Sequence, residues 1–86
     1  LERILVLRLG HEGLRASTQR LQDAALTPRE TEVLGWLAKG KTNRDIAQIL
    51  GMSPRTVNKH LEHVFEKLGV ETRAAAAAIV SGSLAA

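Results

Sequence analysis

SPRTVNKHLEHVFEKL, residues 53–68, is the stretch on which the reading of this chain turns. The Ser53 hydroxyl can accept an amide proton of a first helical turn, and Pro54 carries the fixed φ that suits the first helical position. A helix is expected to start here. One residue every 100° then puts Val57, Leu61, Val64 and Leu68 in a narrow stripe, with Phe65 on one flank and His60 on the other. Such a stripe has to be buried. Arg55, Asn58, Lys59, Glu62 and Glu66 fall on the opposite side, so a well-anchored helix would offer solvent a row of polar side chains rich in donors toward its N-terminal end.

Working outward, residues 41–52 predict a second helix packed just ahead of the first. Thr42 is placed as N-cap with Asp45 in the box position, Ile46, Ala47 and Leu50 form an apolar side, and Gly51 closes the helix. Only Gly51, Met52 and Ser53 separate the two helices, and a pair joined by so short a Gly-containing turn is a helix-turn-helix. Before it, Thr27 and Glu30 have capping-box spacing around Pro28, with Leu26 set for a hydrophobic staple. That helix is expected to run to about Lys39, to bury Val33, Leu34, Leu37 and Ala38, and to stop at Gly40. Trp36, beside the apolar stripe, is read as a core-edge residue.

After the long helix, Gly69 is a stop and Val70 is expected to fold back. Thr72 starts a last helix, which the stretch Ser81, Gly82, Ser83 should end. Its alanines, Ala74 to Ala78, combine strong helix propensity with a surface another helix can approach closely, so packing and self-association are both open. The first 25 residues are less informative. LERILVLRL, residues 1–9, suits a strand or an extended arm, Gly10 and Gly13 mark a break, and residues 14–25 place Leu14, Thr18, Leu21 and Ala25 at helical spacing.

Composition narrows the class. In 86 residues with 44% hydrophobic content there is room for one small domain. One Trp, one Phe and no Tyr make its core aliphatic. The fold expected is all-α, a compact four-helix bundle containing the helix-turn-helix, as residues 26–86, preceded by an N-terminal arm or linker helix over residues 1–25. Starting at Leu1, the chain reads as a piece of something longer. With no Cys there is neither a disulfide nor a Cys-based zinc site, which fits a reducing cytoplasm. No apolar run is long enough for a bilayer, so no membrane partner is expected.

Formal net charge is +3, but its placement is uneven. From Lys39 to His60 the bases Lys39, Lys41, Arg44, Arg55 and Lys59 face one acid, Asp45, which makes the segment +4. A polyanion is the natural partner for such a field, and an ordinary solvated surface is its plain alternative.

These residues also resemble a known family. LTPRETEVLGWLAKGKTNRDIAQILGMSPRTVNKHLEHVFEKLGVETRAAAA is similar to the LuxR-type, or FixJ and NarL type, helix-turn-helix domain that ends many bacterial transcription regulators. The resemblance covers residue 26 to about residue 80. It rests on three motifs together: L-T-x-R-E-x-E-V-L, G-x-x-N-x-x-I-A, and S-x-x-T-V-x-x-H-x-x-x-x-x-x-K-L-G-V. It implies a compact four-helix domain whose third helix, residues 54–68, enters the major groove of double-stranded DNA. It implies dimerisation through the final helix, here Ala74, Ala75 and Ala78, with an upstream receiver or sensor domain and RNA polymerase as further partners. One position departs from the family: Glu62 stands where a basic or neutral polar residue is usual. A carboxylate there either accepts from a cytosine amine or sits clear of the backbone, and clearance is the reading adopted.

DNA recognition needs phosphate contacts for register and base-edge contacts for discrimination. Lys41, Thr42, Arg44, Ser53, Arg55 and Thr56 are the phosphate candidates, because helix starts at Thr42 and Ser53 add free amides and positive dipole ends; His63 joins them. Asn58 and Lys59 are the base-edge candidates, Asn suiting adenine and Lys guanine, with Arg55 and Glu62 beside them. Other chemistries find little support. His60 and His63 are spaced to share a metal but lack a third ligand, and Glu62 with Glu66 has neither pocket nor nucleophile beside it, so no metal, cofactor or enzymatic activity is expected. The competing function is a helix-turn-helix that binds protein or oligomerises instead of binding DNA.

Overall fold

The computed structural model describes residues 19–84. The strand or arm expected over residues 1–9, the break at Gly10 and Gly13, and the first part of the helix expected over residues 14–25 lie outside them. Helical backbone covers residues 19–23 and turns off at Ala24 and Ala25, the latter with φ +52°. Four helices follow: α1 (Pro28–Ala38), α2 (Asn43–Leu50), α3 (Pro54–Leu68) and α4 (Arg73–Leu84). No strand occurs among the described residues.

Each helix starts where a side chain can take over an orphan amide. Thr27 Oγ1 accepts from Glu30 N–H at 3.2 Å while Glu30 Oε1 accepts from Thr27 N–H at 3.0 Å, so the box is closed. Thr42 and Asp45 close a second box at 3.1 and 3.3 Å. Ser53 Oγ accepts from Thr56 N–H at 3.1 Å, and Thr72 Oγ1 from Ala75 N–H at 3.0 Å. The ends follow a common device too: after α1, α2 and α3 the chain closes with a bond spanning five residues, Lys41 N–H to Trp36 O, Met52 N–H to Ala47 O and Val70 N–H to Phe65 O. Met52 and Val70 thereby fold back and pack against the core, as the sequence led one to expect of Val70.

Gly51, at the corner of the helix-turn-helix, takes φ +68°. A Cβ there would meet nothing within 4 Å, so a side chain at this position is opposed by its own backbone alone. Gly51→Ala should therefore cost about 1–2 kcal/mol in urea unfolding, and Gly51→Asn less, since Asn tolerates the left-handed region. Equal stability of Gly51→Ala and wild type would show that the corner relaxes to another conformation.

The core forms where the four apolar stripes meet. Val33, Leu34 and Leu37 come from α1, Ile46 and Ala47 from α2, Val57, Leu61, Val64 and Leu68 from α3, and Ala76 and Ile79 from α4. α1 packs on both α3 and α4, and α2 lies against α3. Burying each of the larger side chains contributes roughly 1.5–3 kcal/mol, and the α3 stripe supplies four of them. The helix at the centre of the sequence reading is thus the most firmly anchored one. Trp36, Phe65, Leu50 and Leu26 pack at the edge, and Trp36 also carries the Lys39 ammonium 4.7 Å from its ring centroid.

Two expectations need correction. Ala38 is half-buried and outside the core, because it lies on the last turn of α1 where the stripe has run out. The last helix does not stop at residues 81–83 but continues to Leu84. Gly costs about 1 kcal/mol relative to Ala in a helix yet remains free to adopt helical φ and ψ. Without a Pro or a left-handed cap, the Ser-Gly-Ser stretch weakens the helix and does not break it.

Candidate nucleic-acid interface

Because Val57, Leu61, Val64 and Leu68 are held inward, the phase of α3 is fixed and the opposite edge must face solvent. Arg55, Asn58, Lys59 and Glu62 are all exposed and together line a shallow concavity of about 260 Å³. Within it, Asn58 Nδ2 donates to Glu62 Oε1 at 3.1 Å, one helical turn on. All four base-edge candidates are thus brought to one place. Glu62 does not stand alone: its carboxylate lies along the helix against Asn58.

The two helix starts offered for phosphate differ once their caps are examined. At α3, Ser53 Oγ takes the Thr56 amide, Ser53 Oγ and Thr56 Oγ1 lie 2.9 Å apart, and no acid sits in the first turn. The Arg55 amide stays unpaired in the described structure, beside exposed Ser53, Arg55 and Thr56 side chains. At α2 the Thr42 amide is already bound by Asp45, whose carboxylate also opposes an anion. The α3 start is the better anion site, by hydrogen-bond supply and by charge. Lys41 and Arg44 are exposed near the α2 start. The turn that carries Lys41 is held by Arg73, which donates from Nη2 to the Lys41 carbonyl at 2.8 Å and from Nη1 to Asn43 Oδ1 at 2.5 Å.

His63 is placed elsewhere. It lies with Nδ1 3.7 Å from Glu30 Oε2, turned toward α1 and not toward the concavity. The reason is a buried charge the sequence reading had treated only as a cap. Glu30 is 3% exposed and accepts from Lys67 Nζ at 2.6 Å. Lys67 beside it, then the Thr27 amide, holds the Glu30 carboxyl below the usual glutamate range, against the opposing effect of burial. Lys67 thus joins the last turn of α3 to the first turn of α1, and Arg20 adds a bond from Nη2 to the Leu68 carbonyl at 2.7 Å. Lys67, Arg73 and Arg20 fix the helices and the turn that carry the candidate side chains, and no local sequence signal singles them out. Their partners are 30 or more residues away, and no local spacing signals such a pair.

On α4, Ala76 and Ile79 face the core, whereas Ala74 and Ala78 are exposed and Ala75 is half-buried. The described residues contain no group of three or more His, Cys, Asp or Glu side chains arranged to hold a metal ion. None of their helices is long and apolar enough to cross a membrane.

Residues 24–80, more than half of the chain, match the family described as bacterial regulatory proteins, luxR family. The transcriptional activator protein AnoR of Acinetobacter nosocomialis is 52% identical over 52 residues, covering 60% of this chain and 22% of AnoR. AhyR of Aeromonas hydrophila, also a transcriptional activator protein, is 52% identical over 62 residues, or 70% of this chain and 24% of AhyR. The transcriptional activator protein LuxR of Aliivibrio fischeri is 40% identical over 70 residues, or 79% of this chain and 28% of LuxR. The chain therefore spans less than a third of the length of each of these relatives. No solved structure gives a significant match.

Proposed function

Since this chain belongs to the luxR family of bacterial regulatory proteins, we propose that residues 26–86 are the sequence-specific DNA-binding domain of a transcription regulator, with residues 1–25 a linker or N-terminal arm. The observation that carries this reading is the division of α3 into a buried aliphatic edge and an exposed concavity of Arg55, Asn58, Lys59 and Glu62. α3 enters the major groove. Its acid-free N-terminal turn, with Ser53, Arg55 and Thr56, lies on the phosphate backbone, and Lys41, Thr42 and Arg44 reach the same strand or its partner from α2. Asn58 and Lys59 then address base edges, adenine and guanine being the matching acceptors and donors.

The exposed Ala74 and Ala78, with Ala75, supply a face on which a second copy can pack, and a homodimer would read an inverted repeat. The relatives' names, transcriptional activator proteins, extend the proposal to activation of transcription, and the family resemblance adds RNA polymerase and an upstream receiver or sensor domain as proposed partners. A cytoplasmic location follows from that role.

Selection of bound duplexes from a random pool tests the reading. Enrichment of a defined site is expected, an inverted repeat if the dimer is right; no enrichment at any salt concentration overturns it. On the selected site Lys59→Ala should lose about 1–3 kcal/mol of binding free energy if Lys59 meets a base. If it meets phosphate instead, the loss should be the same on every duplex and the salt slope should fall by about one unit. Unchanged binding across salt concentrations would remove Lys59 from the interface.

A further inference from the structure

Glu62 is the one anionic side chain in the concavity, and its geometry gives it a use. A carboxylate can only accept hydrogen bonds, so the contact from Asn58 Nδ2 at 3.1 Å fixes which end of the Asn58 amide points toward Glu62. The amino end is held there. On the planar amide the carbonyl Oδ1 is then directed away from the Glu62 carboxylate, and Nδ2 keeps a second hydrogen to donate. Both residues are exposed, and the bond needs no rearrangement of the helix because it joins positions one turn apart on the same face.

We propose that Glu62 is a positioning residue that locks the Asn58 amide, so that the two together present acceptors and select a base carrying an exocyclic amine. The proposal rests on the DNA-binding reading. In the major groove adenine shows an N6 amine beside the N7 acceptor, and cytosine shows an N4 amine. The locked Asn58 carbonyl can accept from either amine, its second amide hydrogen can reach adenine N7, and the free Glu62 oxygen can accept from a neighbouring amine. Guanine O6 and thymine O4 would meet oxygen instead of a donor. A free Asn can rotate its amide to suit either class; one held by a carboxylate cannot, so discrimination at this base depends on a residue that need not touch it. Arg55 and Lys59 supply only donors on the remaining sides of the concavity, which leaves the acceptor role to this pair.

The test uses a duplex selected on the wild-type protein together with its three single-base replacements at the position whose preference Asn58→Ala erases. Wild type should prefer adenine or cytosine over guanine and thymine there by about tenfold or more. Glu62→Ala should bring that ratio to within about threefold while raising affinity for all four duplexes, because one negative charge has left a domain that approaches a polyanion. Glu62→Gln can hold the Asn58 amide in either sense and should fall between. Circular dichroism and thermal unfolding establish that the variants are folded, which the exposure of both residues favours. If Glu62→Ala keeps the wild-type base ratio, or if the preferred bases are guanine or thymine, the positioning role is wrong and the DNA-binding reading survives. If wild type selects no sequence, or Asn58→Ala erases no preference, this proposal fails, and in the first case the regulator reading fails with it.

Discussion

Val57→Asp is expected to leave the chain unfolded at 25 °C and neutral pH. Val57 is fully buried among the apolar residues contributed by all four helices, and among the described residues no basic side chain is buried there to pair with a new carboxylate. An ionised side chain in such a site costs several kcal/mol at least, and protonating it still leaves polar oxygens with no partner. A small domain has about 5–15 kcal/mol of stability in total, and one with an aliphatic core of this size belongs at the low end. The substitution also tests the orientation on which the interface depends. Asn58 and Lys59 are exposed because Val57 and Leu61 are not, and a rotation of α3 by one position would exchange those roles. Far-UV circular dichroism with thermal unfolding reads the outcome. A helical spectrum with a cooperative melt close to that of wild type would mean that residue 57 faces solvent and that the concavity is lined by other side chains.

How much of this could be read before the structure depends on whether the signal was local. The α3 stripe was legible because burial and helix period are both properties of neighbouring residues. So were the starts at Thr27, Thr42, Ser53 and Thr72 and the stops at Gly40, Gly51 and Gly69, each set by chemistry within a few positions. The end of α4 was misread because Gly82 flanked by serines lowers helix stability without supplying a stop. What sequence could not show were contacts between distant positions: Glu30 with Lys67, Asn43 with Arg73, Leu68 with Arg20. The placement of His63 followed from the first of these. Its helical angle allowed an outward orientation, and in the fold the half-exposed ring lies with Nδ1 3.7 Å from Glu30 Oε2. Asn58 and Glu62 are an instructive middle case. Their spacing of four announces a contact, but read from sequence Glu62 is set against DNA, as a cytosine acceptor or clear of phosphate, and is not paired with Asn58 one turn back.

Lys67→Met is the second substitution with a large expected effect, and it acts through Glu30. The Glu30 side chain is 4% exposed and that of Lys67 33%, with Nζ 2.6 Å from Oε1. Methionine retains most of the lysine stem, so the change removes the charge with little loss of packing. A buried carboxylate is then left with the Thr27 amide and His63 at 3.7 Å. Breaking a buried pair costs about 3–5 kcal/mol, and because Lys67 is one-third exposed the expected loss is lower, roughly 2–4 kcal/mol at neutral pH. The pH dependence separates charge from packing. Lys67 is the main cause that lowers the Glu30 pKa, so in the fold this carboxyl binds a proton less readily than in the unfolded chain. Its contribution is complete above the ordinary glutamate value of 4.5 and is lost as pH falls through the lower folded value. The gap between wild type and Lys67→Met should accordingly be widest near neutrality and close as the solution is acidified below 4.5, while the double variant with Glu30→Gln, which leaves no buried charge, recovers part of the loss at neutral pH. Denaturant unfolding at a series of pH values measures both effects. Because Lys67 ties the last turn of α3 to the first turn of α1, DNA affinity should weaken with the same pH profile; a stability gap that stays constant down to acid pH would assign the contact to the lysine stem and free α3 from this electrostatic anchor.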